Sequence, residues 1–190
     1  MTVTNQIKWD LDLIKRYDLS GPRYTSYPTA IQFDPELSAQ QLVERGQQTA
    51  DKNAPLSLYL HIPFCTHVCY FCACNKVITR NKKRAQPYLE ELYIEMKKLS
   101  EWYSDDRIVN QLHWGGGTPS FINDDQMREL VDHLRDNFRL RDDDLGDYSI
   151  EIDPREADAE RMKVIRELGF NRVSLGVQDI NIEVQKAVNR

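Results

Sequence analysis

All four cysteines of the chain fall within ten residues, at Cys65, Cys69, Cys72 and Cys74. The first three are spaced C-x3-C-x2-C, with Phe71 directly before the third. A loop this compact can point three thiolates at one centre, and it is too tight for a tetrahedral zinc site built from two separated ligand pairs. Three thiolates on a four-iron cluster leave one iron without a protein ligand, free to bind a small molecule. Clusters held by thiolates reach strongly reducing potentials. That combination is what one-electron cleavage of a sulfonium such as S-adenosylmethionine (SAM) requires. A zinc knuckle using Cys74 as fourth ligand is the competing reading of the same residues. A disulfide pair is a poor one, because no secretory signal precedes the cysteines and four bunched so closely make weak staples.

The elements that must hold this loop can be read around it. Leu56–Ile62 has the composition of a strand and runs directly into the cysteines. A helix is expected over Gln86–Tyr103, a strand over Ile108–Trp114, and a helix over Asp124–Phe138 that opens on a capping box of Asn123 and Gln126. Tyr148–Asp153 reads as a third strand. Ala159–Leu168 follows as a helix closed by Gly169, then Arg172–Val177 as a fourth strand and Ile182–Val188 as the start of another helix. Four βα units of this kind imply a parallel sheet with right-handed crossovers. Residues 1–55 form an N-terminal arm with short helices over Lys8–Tyr17 and Leu37–Thr49. The prolines and glycine of Gly21–Thr29 break the helical pattern and give an extended, aromatic-rich segment.

Alternation within the strands marks an unusual face. Leu58, Leu60 and Ile62 oppose Tyr59 and His61; Tyr148, Ile150 and Ile152 oppose Ser149, Glu151 and Asp153; Val173, Leu175 and Val177 oppose Ser174, Gly176 and Gln178. Parallel sheets covered on both faces read as continuous apolar runs. A polar face toward the C-terminal strand ends instead fits a sheet curled around a polar ligand, as in barrel enzymes. Tyr59 and Glu151 lie on that face. Gly115-Gly116-Gly117-Thr118-Pro119 ends the second strand, and its glycines permit close backbone approach to a ligand. It is neither a Walker loop nor a G-x-G-x-x-G fingerprint. His61 and His113 read best as satisfied structural histidines.

The chain has 190 residues, 41% of them hydrophobic, and a formal net charge of −5. These values fit a globular protein and give no reason to expect nucleic acid as a partner. No apolar run reaches membrane-spanning length, and no targeting segment is evident. With reduced, clustered cysteines this points to the cytoplasm and to no membrane partner.

The run from His61 to Lys76, with Cys65-x3-Cys69-Tyr-Phe-Cys72-x-Cys74, resembles the radical SAM superfamily, and within it the family of oxygen-independent coproporphyrinogen III oxidases. Pro22–Pro28 and Gly115–Pro119 match further segments of that family. The resemblance implies an α/β fold, a partial (βα) barrel of which four units are present over residues 56–190, in the N-terminal portion of a longer protein; this chain alone is then expected to be inactive. It implies a [4Fe–4S] cluster on Cys65, Cys69 and Cys72, with Cys74 beside it and not required as a ligand. Tyr59, Phe71, Gly116, Gly117, Thr118 and Glu151 are carried over as contacts to SAM, with Gln178 and Arg190 toward a second SAM molecule. The activity implied is an oxidoreductase that decarboxylates two propionates of coproporphyrinogen III to vinyl groups, giving protoporphyrinogen IX in haem biosynthesis. Its partners are coproporphyrinogen III and a flavodoxin- or ferredoxin-type electron donor, on a monomer. The polyanionic substrate calls for basic groups, for which Arg23, Lys76 and Arg80 are candidates. Two alternatives remain open, a haem-binding chaperone with the same barrel and cluster, and a zinc-organised interaction module. The C-x-C ending at Cys74 and the arm at Pro22–Pro28 weigh against the chaperone.

Overall fold

A computed structural model of the chain describes residues 9–18, 29–49, 54–102 and 107–190. The chain divides into two compact units, Met1–Gln41 and Leu42–Arg190. In the first, α1 (Leu11–Tyr17) opens on Asp10, whose side chain accepts from the Leu13 amide at 2.9 Å, and it buries none of its residues. The expected extended arm over Gly21–Pro28, with Arg23, lies outside the described residues. Helix α2 (Ala39–Thr49) spans the division between the units. Within the second unit its Gly46 faces Trp102 so closely that an added Cβ would fall 2.5 Å from the indole ring.

Four longer strands carry the second unit: β1 (Leu56–Ile62), β4 (Ile108–Gly116), β6 (Asp147–Ile152) and β7 (Arg172–Leu175). All pairings are parallel, in the order β1-β4-β6-β7, and a short β5 (Arg139–Leu140) pairs with the start of β4. Spatial order therefore follows chain order without the reversal of a doubly wound sheet. Right-handed crossovers in such a progression place every helix on one face. This is an incomplete (βα) barrel, with β7 at one edge among the described residues. Helices α3 (Ala85–Ser100), α4 (Asp124–Asn137) and α5 (Ala159–Glu167) return the chain between strands.

The helices form where the pattern demands. Leu89, Tyr93 and Met96 on α3, and Met127, Leu130, Val131 and Leu134 on α4, fall at three- and four-residue spacing and are buried. The Asn123–Gln126 capping box is present in both directions. After α5, Gly169 takes a φ of 102°, the left-handed conformation that lets the chain leave the helix. These faces close on Ile62, Trp114 and Ile150, each with no exposed surface, which anchor β1, β4 and β6. Fully burying one such side chain contributes about 1.5–3 kcal/mol.

The opposite face holds the polar set. One row across the sheet runs Tyr59, His113, Ser149, Arg172 in register. The expected apolar face of the last strand is not buried: Val173, Leu175 and Val177 are all exposed. Among the described residues the strand has β6 as its one neighbour, and the six-residue α6 (Ile182–Ala187) buries none of its own residues. Two elements had no sequence signal, β2 (Phe64–Cys65) and β3 (Val77–Ile78), which form a two-stranded parallel ladder around the cysteine loop.

Candidate functional site

The cysteine loop is clamped at its root. Cys65 pairs with Ile78 in the β2–β3 ladder, the Val77 amide donates to Pro63 at 2.7 Å, and the Thr79 amide donates to Cys65 at 2.9 Å. The glycine end of β4 then docks on the same segment, with Gly117 N–H donating to the Ile62 carbonyl at 2.9 Å and Thr118 N–H to Phe64 at 2.8 Å. Glycine is needed there, since a Cβ on Gly117 would sit 2.6 Å from the Pro63 carbonyl oxygen. Gly116 has a φ of 113°, and its missing side chain leaves space taken by the His61 ring. Thr118 completes the junction by donating from Oγ1 to Cys65 Sγ at 3.4 Å.

A third wall comes from the far end of the chain. Tyr70 N–H donates to Val188 at 3.2 Å, and Asn189 Nδ2 donates to Val68 at 2.6 Å. Arg190 lies with its Nη1 3.2 Å from Cys69 Sγ and 3.0 Å from Asp153, and its Nε donates to the Gly176 carbonyl. Its side chain is only 12% exposed. Asp153 is the hub of this wall, also taking hydrogen bonds from Arg155 Nε at 3.0 Å and Nη2 at 2.6 Å. Burial pushes the Asp153 carboxyl up. The bonds from Arg155 and the Arg190 charge outweigh it and hold the group below the usual carboxylate range.

Between these walls lies a cavity of about 290 Å³. It brings together Cys65, Cys69, Cys72 and Phe71 from the loop, Gly116, Gly117 and Thr118 from β4, Glu151 from β6, and Gln178 and Arg190 beyond β7. Tyr59 stands outside its lining. Its hydroxyl meets His61 Nδ1 at 3.1 Å, and its ring stacks on His113 with centroids 5.7 Å apart. Tyr59 and Glu151 flank Gly115 from either side, each within 3.2 Å of where a Cβ would project. Glu151 accepts weakly from the Gly116 amide at 3.3 Å and meets His113 Nε2 at 3.4 Å, while His113 Nδ1 meets Ser149 at 2.6 Å. Both histidines are thus held by protein groups, His61 also by the Asn75 carbonyl at 2.9 Å.

The thiols differ in environment. Burial pushes Cys65 up, against the hydrogen bond from Thr118. Burial acts on Cys72 as well, but hydrogen bonds from Cys74 and the ammonium of Lys76 pull it below the ordinary thiol value. Lys76 lines the cavity and donates to the Cys72 carbonyl at 3.1 Å, whereas Arg80 lies outside the lining and is exposed. Among the described residues no three His, Cys, Asp or Glu side chains converge as a single metal ion demands. All four thiols, Cys74 included, line a shared space instead. Thiolate donors around such a space, with a glycine cradle opposite, fit a sulfur-ligated iron cluster and a small zwitterion beside it. Sequence reasoning missed Asp153 and Arg155 as a unit. The signal was available in Asp153-Pro154-Arg155 at a strand end, where the aspartate caps the following turn by accepting from the Arg155 amide at 3.0 Å.

Comparison with known proteins agrees with this arrangement. The sequence profile of the radical SAM superfamily matches residues 59–190. An oxygen-independent coproporphyrinogen III oxidase of Pseudomonas aeruginosa is 58% identical over 184 residues, covering 97% of this chain and 40% of that protein. Its counterpart from Mannheimia haemolytica is 45% identical over 150 residues, 79% of this chain and 99% of that sequence. Among solved structures, coproporphyrinogen III oxidase from Escherichia coli, described as a radical SAM enzyme, superposes with a TM-score of 0.82 at 45% identity, over 97% of this chain and 40% of its own. The chain spans about 40% of the length of the longer relatives. With its cysteine loop and glycine strand end on one parallel sheet, this chain belongs to the radical SAM superfamily, in the family of the oxygen-independent coproporphyrinogen III oxidases.

Proposed function

We propose that this chain forms the cofactor-holding part of an oxidoreductase that converts coproporphyrinogen III to protoporphyrinogen IX without oxygen. The observation that carries the reading is the single cavity onto which Cys65, Cys69, Cys72, the Gly116–Thr118 backbone and Glu151 all open. A [4Fe–4S] cluster bound there with SAM supplies one-electron reductive cleavage and, from it, a 5′-deoxyadenosyl radical for hydrogen abstraction from the substrate's propionates. The protein's own groups do the rest. Cys65, Cys69 and Cys72 hold the iron. The Gly116–Gly117 backbone would lie against the amino-acid part of SAM, and Glu151 would present a carboxylate for ammonium or hydroxyl groups. Phe71, which lines the cavity, would pack against the bound cofactor. Gln178 and Arg190 would serve a second SAM molecule, and Lys76 a substrate carboxylate.

The test uses the full-length protein that carries this chain, purified without oxygen and given dithionite, SAM and coproporphyrinogen III. Formation of both 5′-deoxyadenosine and protoporphyrinogen IX, and loss of both in Cys65→Ala, is the expected result. Neither product, with haem held tightly, would establish the chaperone instead. Equimolar zinc without sulfide would establish the interaction module.

A further inference from the structure

Immediately beyond the cysteine loop the chain carries Arg80, Lys82, Lys83 and Arg84 within five residues. They sit at the exit of β3 and on the 3-10 turn Lys82–Arg84 that leads into α3, and all four are exposed. Many cations of this unit have a carboxylate partner, as Arg128 has Glu167, Arg166 has Asp144 and Arg172 has Asp147. Here Lys82 reaches Glu156 at 4.0 Å, and its ammonium lies over the Phe121 ring. Among the described residues Arg80, Lys83 and Arg84 form no ion pair. A chain with net charge −5 thus concentrates unneutralised positive charge in one place. Such a patch attracts and orients an acidic macromolecule.

Its position decides which one. Ile78 is the register partner of Cys65, and Thr79 bonds the Cys65 carbonyl. With about 4.8 Å between paired strands and about 3.8 Å per residue, Arg80 Cα lies within roughly 12 Å of Cys65 Cα. None of the four cations lines the central cavity. A partner seated on them therefore approaches the cluster ligands from outside, leaving the cavity mouth free for small molecules. A separate concavity of about 490 Å³ beside Lys82 and Lys83, with Arg161 in its wall, gives acidic side chains a place to enter.

We propose that this basic patch is the docking surface for an acidic one-electron-donor protein of flavodoxin type. The inference rests on the cluster reading above. In the step, one electron leaves the donor's anionic flavin hydroquinone, which becomes the neutral semiquinone, and the cluster gains that electron; no bond in the protein forms or breaks.

The experiment follows reduction of the cluster in the full-length holoprotein by its loss of visible absorbance, with either dithionite or a reduced acidic bacterial flavodoxin. The variants are Arg80→Glu/Lys83→Glu/Arg84→Glu, the milder Arg80→Gln/Lys83→Gln/Arg84→Gln, and Lys97→Glu/Lys98→Glu on the exposed end of α3 as control. Charge reversal is expected to slow flavodoxin reduction at low salt at least tenfold, within the range of electrostatic steering. Neutralisation should slow it by less. The difference should vanish at high salt, where screening is complete within about 3 Å. Dithionite reduction and the control should keep the wild-type rate. Wild-type flavodoxin kinetics in both patch variants would overturn the proposal, and doing so alongside lost binding to anionic lipid vesicles would assign the patch to a membrane surface. Absence of a dithionite-reducible cluster in the wild type would remove the cluster reading itself, a result distinct from either.

Discussion

Replacing Gly117 by alanine tests whether the glycine strand end shapes the cysteine loop. A Cβ at this position would lie 2.6 Å from the Pro63 oxygen, 2.7 Å from the Pro63 carbonyl carbon and 2.8 Å from the Phe64 oxygen. All three are backbone atoms, so no side chain can swing aside, and overpacking of this kind costs about 1–3 kcal/mol. Relief requires β4 to retreat from Pro63–Phe64, which weakens the two hydrogen bonds from Gly117 and Thr118. Losing half their worth adds about 1 kcal/mol. Alanine also lowers the entropy of the unfolded chain, which offsets about 0.4–1 kcal/mol. The steric term wins, leaving a net loss of about 2.5 kcal/mol. Urea titration of the apo protein, followed by tryptophan fluorescence, reads that loss. Iron and sulfide content after anaerobic reconstitution reads the consequence for Cys65, whose partner Thr118 moves with the strand. Gly169→Ala is the control: it has a φ of 102° but nothing within 4 Å, so it should cost about 1–2 kcal/mol and leave iron loading intact. A Gly117→Ala protein with wild-type stability and full iron content would refute the reasoning.

Asp153→Ala removes the shared partner of Arg155 and Arg190 and should cost about 3–5 kcal/mol, measured by the same titration, since it strands a mostly buried arginine. The depressed Asp153 carboxyl contributes stability that is present above the unfolded carboxylate value, about pH 3.9, and is lost as pH falls through the lower folded value. Stability curves of wild type and Asp153→Asn, taken on the apo protein, should therefore converge below pH 4. Asn123→Ala deletes one half of the α4 capping box and should lower stability by about 1 kcal/mol without altering iron content. Cys74→Ser should keep full iron and sulfide by chemical analysis, whereas Cys72→Ser should lose them.

Much of the scaffold was legible because its signals are local. The bounds of β1 and the Asn123–Gln126 box depend on residues a few positions apart, and the structure reproduces both. Helix α3 stops at Ser100, three residues before the expected end. The two-residue strands β2 and β3 are too short to show any alternation, so the ladder that roots the cysteine loop was invisible. The alternation at Val173, Leu175 and Val177 was real in sequence, but a strand with one neighbour does not bury the face it presents. Within the site, residue types foretold the thiols and glycines. The pairing of Arg190 with Asp153, across 37 positions, comes from topology, to which a local pattern is blind.

The bonds that join Val68 to Asn189 and Tyr70 to Val188 also set a schedule. The Asn189–Val68 contact closes a span of 121 residues, at an entropic cost of about 4 kcal/mol that local structure must first offset. At about 5–20 residues per second of synthesis, the thiols leave the ribosome roughly 6–24 s before their last wall exists. During that interval the four cysteines stand without that wall, in a loop rooted on a ladder of two-residue strands. Iron delivered then would meet donors without a pocket, and oxidants would meet them without a shield. The wall at Val188–Arg190 is thus the last of the three to emerge, well after the thiols it covers.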